Sequence, residues 1–292
     1  MGRLFCNLLA GAPGRELVVV DPRARALAKD GYRAFANDLR APSRELAAVL
    51  ESADLVLVAT PEAVALQAVA VLARHLGDGC LLVDTLSVKS RIAERVEAAA
   101  LSCEALGLNP MFAPSLGFQG QSAVATPYRP GPRTRAFQAV VEAAGCCIRQ
   151  MSPGEHDRTT ALLQVATHAA LLSFGHVLRR SGYDLSACEA VMPPPHRTLL
   201  ALLARILSAD PEVYWDIQVA NPSGHGLRAE LLECMAQLQS MVEARDEGGF
   251  RLELESLSAI FGDSEERYQA LCADLFAQLT KSVGSWSVGR AC

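Results

Sequence analysis

The chain has 292 residues, half of them hydrophobic and 20% charged, enough for two globular domains with their own cores and unlike a disordered chain. A formal charge of −5 and a pI near 5.7 leave no basic field for a polyanion, which argues against nucleic acid as a partner. Nearly all the basic charge is arginine, with lysine only at Lys29, Lys89 and Lys281.

The first half alternates short apolar segments with helical ones. Strands are predicted at Glu16–Val20, Leu55–Thr60, Cys80–Asp84, Cys103–Leu108, Ser122–Thr126 and Cys146–Gln150. The more apolar of these are continuous runs, as in a parallel sheet covered on both faces. Helices are predicted at Pro22–Asp30, Ser43–Glu51, Glu62–His75, Ser90–Ala100 and Thr134–Ala144. This alternation predicts a doubly wound, Rossmann-like α/β domain. After Ser152-Pro153-Gly154 the strands stop, and the pattern is helical from Glu155 to about Lys281, broken at Met192-Pro193-Pro194-Pro195 and Asn221-Pro222-Ser223-Gly224. The expected division is a dinucleotide-binding domain over 1–152 and an all-helical domain over 153–292.

Thr159–Val177 is a 19-residue run without Asp, Glu, Lys or Arg, but Gln164, His168 and His176 make membrane insertion expensive, so a buried central helix is expected. Nine cysteines, an odd number without a Cys-x-x-Cys, show neither a disulfide framework nor a metal-ligand pattern. No secretory signal opens the sequence, and a reducing cytoplasm is the expected compartment.

Val18-Val19-Val20-Asp21 is an apolar strand ending in an acid, the position from which a Rossmann domain binds the adenosine ribose of NAD. Asp21-Pro22 is equally a good helix start, and Arg23 and Arg25 could welcome the 2′-phosphate of NADP, so cofactor choice stays open. Leu55–Thr60 ends in a Thr60-Pro61 turn at the carboxyl end of a strand, where such domains bind ligands. Further on, Asp84-Thr85-Leu86-Ser87-Val88-Lys89 leads from a strand into a helix that Ser87 could cap. Lys89 has a surface salt bridge as its ordinary alternative. Gln164 and His168 share a helix face. Arg197 and Arg205 interrupt an otherwise apolar helix, where a guanidinium is costly unless an anion or an internal acid meets it.

Together, Met1-Gly2-Arg3-Leu4-Phe5, Asp-x-x-Ser-Val-Lys at 84–89, Gly107-x-Asn109-Pro110-Met111-Phe112-x-Pro114, Glu155-His156-Asp157 and Asp210–Ile217 resemble the prephenate dehydrogenases, from residue 1 to about 280. The resemblance implies hydride removal from a cyclohexadiene ring carbon, loss of carbon dioxide and aromatisation, with NAD (or NADP) as acceptor, a small dicarboxylate substrate and a homodimer formed through the helical domain. It places Thr60 and Pro61 beside the cofactor, Ser87 at the junction of substrate and nicotinamide, and Arg205 on a substrate carboxylate. Arg197, about 12 Å back along the helix, could serve cofactor, structure or the second carboxylate. Lys89, Gln164 and His168 are carried as further substrate-side residues, with His156 and Asp157 behind them. Gly2 would be the last glycine of Gly-x-Gly-x-x-Gly, whose earlier glycines and first strand fall before Met1. A start assigned too far downstream, or a natural loss of cofactor binding, would each account for that.

The departure is Asn109, where the family carries a catalytic histidine that takes the ring hydroxyl's proton. An amide cannot act as a base near neutral pH. A ring amine needs none: its lone pair helps expel hydride, and decarboxylation then delivers the arylamine. The resemblance with this change implies 4-amino-4-deoxyprephenate as substrate and 4-aminophenylpyruvate as product, for specialised, antibiotic-type metabolism. The alternatives are a prephenate dehydrogenase of tyrosine biosynthesis with another base, His168 or a water, and a non-catalytic carboxylate-binding or regulatory relative.

Overall fold

A computed structural model describes residues 1–10, 14, 16–22 and 32–288, in two compact units: Met1–Ala161 with Trp215–Ser223, and Leu162–Tyr214 with Gly224 onward. The expected helix Pro22–Asp30, with Arg23 and Arg25, falls almost wholly outside the described residues.

In the first unit α1 (Gly2–Ala10) precedes a short parallel pair, β1 (Val18–Val20) and β2 (Arg33–Phe35). Then come α2 (Arg44–Glu51), β3 (Leu55–Val58), α3 (Glu62–Leu72), β4 (Leu81–Asp84), α4 (Ser90–Ala98), β5 (Glu104–Pro110), β6 (Ser122–Arg129), α5 (Pro132–Ala143) and β7 (Cys147–Gln150), which form a sheet in the order β3-β4-β5-β6-β7. All four residues of β4 are buried, as its unbroken Leu-Leu-Val-Asp run requires of a strand covered on both faces.

Two apolar layers cover that sheet. One gathers Leu46 and Leu50 of α2, Val69 and Leu72 of α3, and Ile92 and Val96 of α4; the other gathers Phe5 of α1 with Phe137 and Val141 of α5. Each fully buried Leu, Val, Ile or Phe contributes about 1.5–3 kcal/mol by leaving water, so the layers fix which face each strand residue takes. Ser43 caps α2 by accepting from Leu46 N, a start visible in the sequence.

The sheet departs from the all-parallel expectation at one step. β5 and β6 pair antiparallel, with a register shift at Ala105/Leu106, while β3-β4-β5 and β6-β7 pair parallel. The segment between β5 and β6 holds only a short 3-10 turn at Pro114–Leu116, too little for the crossover that a parallel partner needs. β2 was not expected; a three-residue strand with one buried side chain gives no periodic signal. β1 and β3 are not hydrogen-bonded to each other, so both are edges among the described residues.

From α6 (Pro153–Thr160) the chain is helical: a π-helical turn at Ala161–Ala166, then α7 (Thr167–Arg180), α8 (Leu185–Cys188), α9 (Pro194–Leu207), α10 (Pro211–Ala220), α11 (Gly224–Ala244), α12 (Glu247–Ser258) and α13 (Glu265–Val288). Ser152 and Glu155 form a capping box that starts α6. The run Pro153–Arg180 is long and apolar enough to cross a membrane by length and composition, and 22% of its apolar window is buried within this chain. The buried central helix expected from the sequence is therefore corrected: Leu162, Leu163 and Val177 stay exposed. The described cysteines are free thiols.

Candidate active site

The carboxyl end of β4 carries the anchor of a buried polar network. Oδ1 of Asp84 accepts from Lys89 Nζ at 2.6 Å and from Leu86 N at 3.0 Å, and Oδ2 accepts from the Tyr128 hydroxyl at 2.9 Å. Lys89 is completely buried. Burial pulls its ammonium below the usual lysine range while the Asp84 charge acts the other way, and burial followed by the same carboxylate pushes the Tyr128 phenol well above its ordinary value. Lys89 is thus neither a surface salt bridge nor free to meet a ligand, because its charge is already spent on Asp84.

Gly107 makes this geometry attainable. It pairs with Asp84 on β4 and Thr126 on β6, so its side-chain position lies on the same sheet face as the network. A Cβ there would collide with the Tyr128 hydroxyl and approach Lys89 Cδ to 2.9 Å. Only hydrogen leaves room for the lysine to cross.

Asn109 lies two residues further along β5, past the end of β4, where doubly wound sheets bind ligands. It is 2% exposed, and its Nδ2 is 3.0 Å from Nε2 of His156. Nδ1 of His156 is 2.7 Å from Oδ1 of Asp157. That carboxylate also accepts from Lys89 N at 2.7 Å and Ser90 N at 2.9 Å, so it caps α4 from another helix. Burial, opposed by the bond to Asp157, holds His156 below the ordinary histidine value. For Asp157 burial acts upward but is outweighed by the hydrogen bonds from His156, Ser90 and Lys89, which leave its carboxyl below the usual range. Ser87 does not cap α4, since the backbone cap is Lys89 and the side-chain cap is Asp157. Ser87 sits half-buried in the loop after β4. Asn221 braces the back of the cluster, donating to Asp157 O at 2.8 Å.

The expected cofactor residues lie at strand ends. Asp21 follows β1 and its N–H donates to Phe35 O at 3.1 Å, which fixes the backbone where the β1-β2 pair ends. Thr60 and Pro61 join β3 to α3, with Pro61 at the N-cap. Gly2 opens α1, and a Cβ on it would lie 3.6 Å from Ala59 Cβ, so the helix N-terminus meets the end of β3 closely. A helix N-terminus, an acid after a strand and a turn at a second strand's carboxyl end fit the diphosphate and ribose of a dinucleotide.

The second unit holds the other expected residues. Gln164 lies in the π-helical turn, a feature common at functional sites. Its Oε1 and the Nδ1 of His168 are buried with no hydrogen-bond partner among the described residues. The His168 ring meets Tyr214 edge-on, with centroids 4.9 Å apart. Burial, and then the Arg205 charge, lower its pKa. Arg205 is exposed on α9 and forms no ion pair among the described residues, so the internal-acid alternative is not met there. Arg197 donates to Glu189 O at 3.1 Å, which ties α9 to the turn before it.

Sequence reasoning missed Tyr128 and Asn221 and gave His156 no direct contact with Asn109. Tyr128 lies beyond the expected strand Ser122–Thr126, beside the register shift between β5 and β6, so only the structure brings it to Asp84.

The family model for the prephenate dehydrogenase nucleotide-binding domain matches residues 19–129, and that for the prephenate dehydrogenase dimerization domain matches residues 152–256. The chain belongs to the prephenate dehydrogenase family. It is 43% identical over 279 residues, 96% of this chain and 94% of the relative, to the 4-amino-4-deoxyprephenate dehydrogenase of Streptomyces pristinaespiralis. It is 26% identical to a probable arogenate/prephenate dehydrogenase of Methanocaldococcus jannaschii, over 73% of this chain and 49% of that one. Among solved structures, the Aquifex aeolicus prephenate dehydrogenase in complex with hydroxyphenyl propionate and NAD+ matches at a TM-score of 0.69, covering 89% of this chain and 93% of that one. At 18% identity that likeness is one of fold. The chain is an oxidoreductase of the prephenate dehydrogenase family, with a Rossmann-like first half and a helical second half.

Proposed function

We propose that this protein oxidatively decarboxylates 4-amino-4-deoxyprephenate to 4-aminophenylpyruvate in specialised, antibiotic-type metabolism, in the cytoplasm. The observation that carries the reading is Asn109, a buried amide at the family's catalytic-base position, with its NH2 against a histidine. Bound NAD supplies the hydride acceptor. The C4–H electron pair leaves with the hydrogen as the amine lone pair forms the C=N bond. The electrons of the breaking C–CO2 bond then enter the ring and return the pair to nitrogen. No proton has to leave while hydride departs, so an amide suffices where a hydroxyl substrate would call for a base.

In this reading Asn109 accepts an N–H from the ring amine and Ser87 lies beside it. Arg205 holds a carboxylate of the substrate, with Arg197 nearer the start of the same helix. Gln164 and His168 offer their unpartnered atoms to the substrate. Lys89 we assign to the frame that holds Asn109, in place of the substrate contact expected from sequence. Gly2, Asp21, Thr60 and Pro61 line the NAD side. The functional division is kept at 152/153. The helical half forms a homodimer: Leu202 and Leu207 of α9 and Leu232, Met235 and Leu238 of α11 are exposed in the single chain. A monomer in sedimentation at micromolar concentration would count against the dimer.

Steady-state assays of wild type and Asn109→His on both substrates test the chemistry. Wild type is expected to favour the amino substrate, and Asn109→His to shift the ratio toward prephenate by up to about 10²–10⁴-fold, the size of a general-base contribution. A wild-type preference for prephenate would sink the amino reading. The second reading, prephenate turnover with His168 as base, rests on its unpartnered Nδ1 and predicts that preference.

A further inference from the structure

We propose that His156 is a positioning residue that locks the Asn109 amide in one of its two orientations, NH2 toward the protein and Oδ1 toward the ligand. The inference rests on the amino-substrate reading only for what Oδ1 then meets.

The orientation follows from a chain of donors and acceptors. Asp157 is a carboxylate that already receives two backbone N–H groups, and it faces Nδ1 of His156 at 2.7 Å. A carboxylate in that position requires a hydrogen on Nδ1. His156 is completely buried, and burial favours its neutral form. A neutral ring protonated at Nδ1 has a bare lone pair at Nε2. The group 3.0 Å from that lone pair is the Asn109 side-chain amide, and only its NH2 end can donate. Reversed, the amide would set its oxygen against the lone pair and leave both acceptors unpaired out of reach of water.

With NH2 committed, Oδ1 is the end left over, and nothing among the described residues donates to it. It belongs to a residue past the end of β4, on the side where ligands reach a sheet of this kind. A fixed carbonyl oxygen there accepts a hydrogen bond from a ring amine, and the bond strengthens as nitrogen gains positive charge during hydride loss. A freely flipping amide would offer its NH2 half the time and repel the same N–H. Selectivity at residue 109 therefore depends on a side chain that need not touch substrate.

Two measurements test this. In protein labelled with 15N-histidine, with the His156 signals assigned by their loss in His156→Gln, long-range 1H–15N spectra near neutral pH should show His156 protonated at Nδ1 and bare at Nε2. Protonation at Nε2, or on both nitrogens, overturns the proposal whatever the substrate proves to be. The second measurement compares two variants. His156→Gln places an amide oxygen near the lost Nε2, whereas His156→Leu places none. kcat on 4-amino-4-deoxyprephenate should fall about 10–100-fold in His156→Leu, with KM nearly unchanged, and be largely kept in His156→Gln. Equal kcat in the two variants overturns it. If His156→Leu fails to fold, the spectra of the wild type still decide. A wild type with the Nδ1–H form but a preference for prephenate would retire the substrate reading and leave the locked amide standing.

Discussion

Around Asn109 the polar groups of the first unit are joined into two linked sets: Tyr128, Lys89 and Leu86 on Asp84, then Lys89, Ser90 and His156 on Asp157, with Asn109 on His156. Among the described residues, Thr126 Oγ1 and Asn109 Oδ1 are left without a donor or acceptor partner on that sheet face. In the second unit three expected site groups stand open among the described residues: Gln164 Oε1 and His168 Nδ1 are buried without partners, and Arg205 is exposed without an ion pair. The difference separates two uses of polarity. Groups already satisfied by protein contribute to folding and geometry, whereas groups left unsatisfied await a ligand. Substitutions of the groups gathered on Asp84 should register as stability, and those of the open groups in the second unit as binding.

The largest expected effect is Lys89→Met. It strands the Asp84 charge in the interior and should cost about 3–5 kcal/mol of stability, read from the urea midpoint. An unmoved midpoint would break the comparison at its strongest point. Arg205→Ala should do the reverse. Its substrate KM should rise by the equivalent of about 2–5 kcal/mol, while the unfolding midpoint and NAD affinity barely change. Normal turnover by that variant would misplace the substrate carboxylate. Gly107→Ala, which forces a methyl against Tyr128 and Lys89, should cost about 1–3 kcal/mol. Adding Tyr128→Phe should recover part of that loss; strict additivity would show that the hydroxyl is not what the methyl meets.

The smallest effect is the pH dependence. His156 and His168 both take up a proton less readily folded than at their ordinary value of 6.5, because burial lowers them. Below pH 6.5 the unfolded chain therefore binds more protons than the folded one. Their contribution is complete above pH 6.5 and declines as pH falls below it, toward the lowered folded values, and Asp157 extends the loss below 3.8. His156 can supply a slope of at most about 1.4 kcal/mol per pH unit, and His168 less because solvent screens it. Urea midpoints from pH 7.5 to 5 should show the decline, and His156→Gln should shallow it; a slope unchanged in that variant would assign the effect elsewhere.

The strands that carry the site were legible because they are apolar runs covered on both faces, as at Leu55–Val58 and Leu81–Asp84. The reversal at β6 was not, since alternation of apolar residues does not encode strand direction. Asn109 was legible through the motif around it, and its amide chemistry needed no structure. The partner of that amide was not, because His156 is 47 positions away and nothing in the Glu-His-Asp triplet says which nitrogen faces what. Lys89 was misread for a related reason. A lone lysine in a sequence gives no sign that a glycine 18 positions on clears a path for it into the core.

The bare Nε2 of His156 has a consequence for how such a site can change its chemistry. A histidine at position 109 would meet the same lone pair, give it one N–H, and keep its other nitrogen bare as a proton acceptor. The same lone pair thus serves either side chain, making an acceptor of an asparagine and a base of a histidine. Asparagine and histidine codons differ at a single nucleotide, so on the proposed reading the choice between an amine and a hydroxyl on the ring is one point mutation deep.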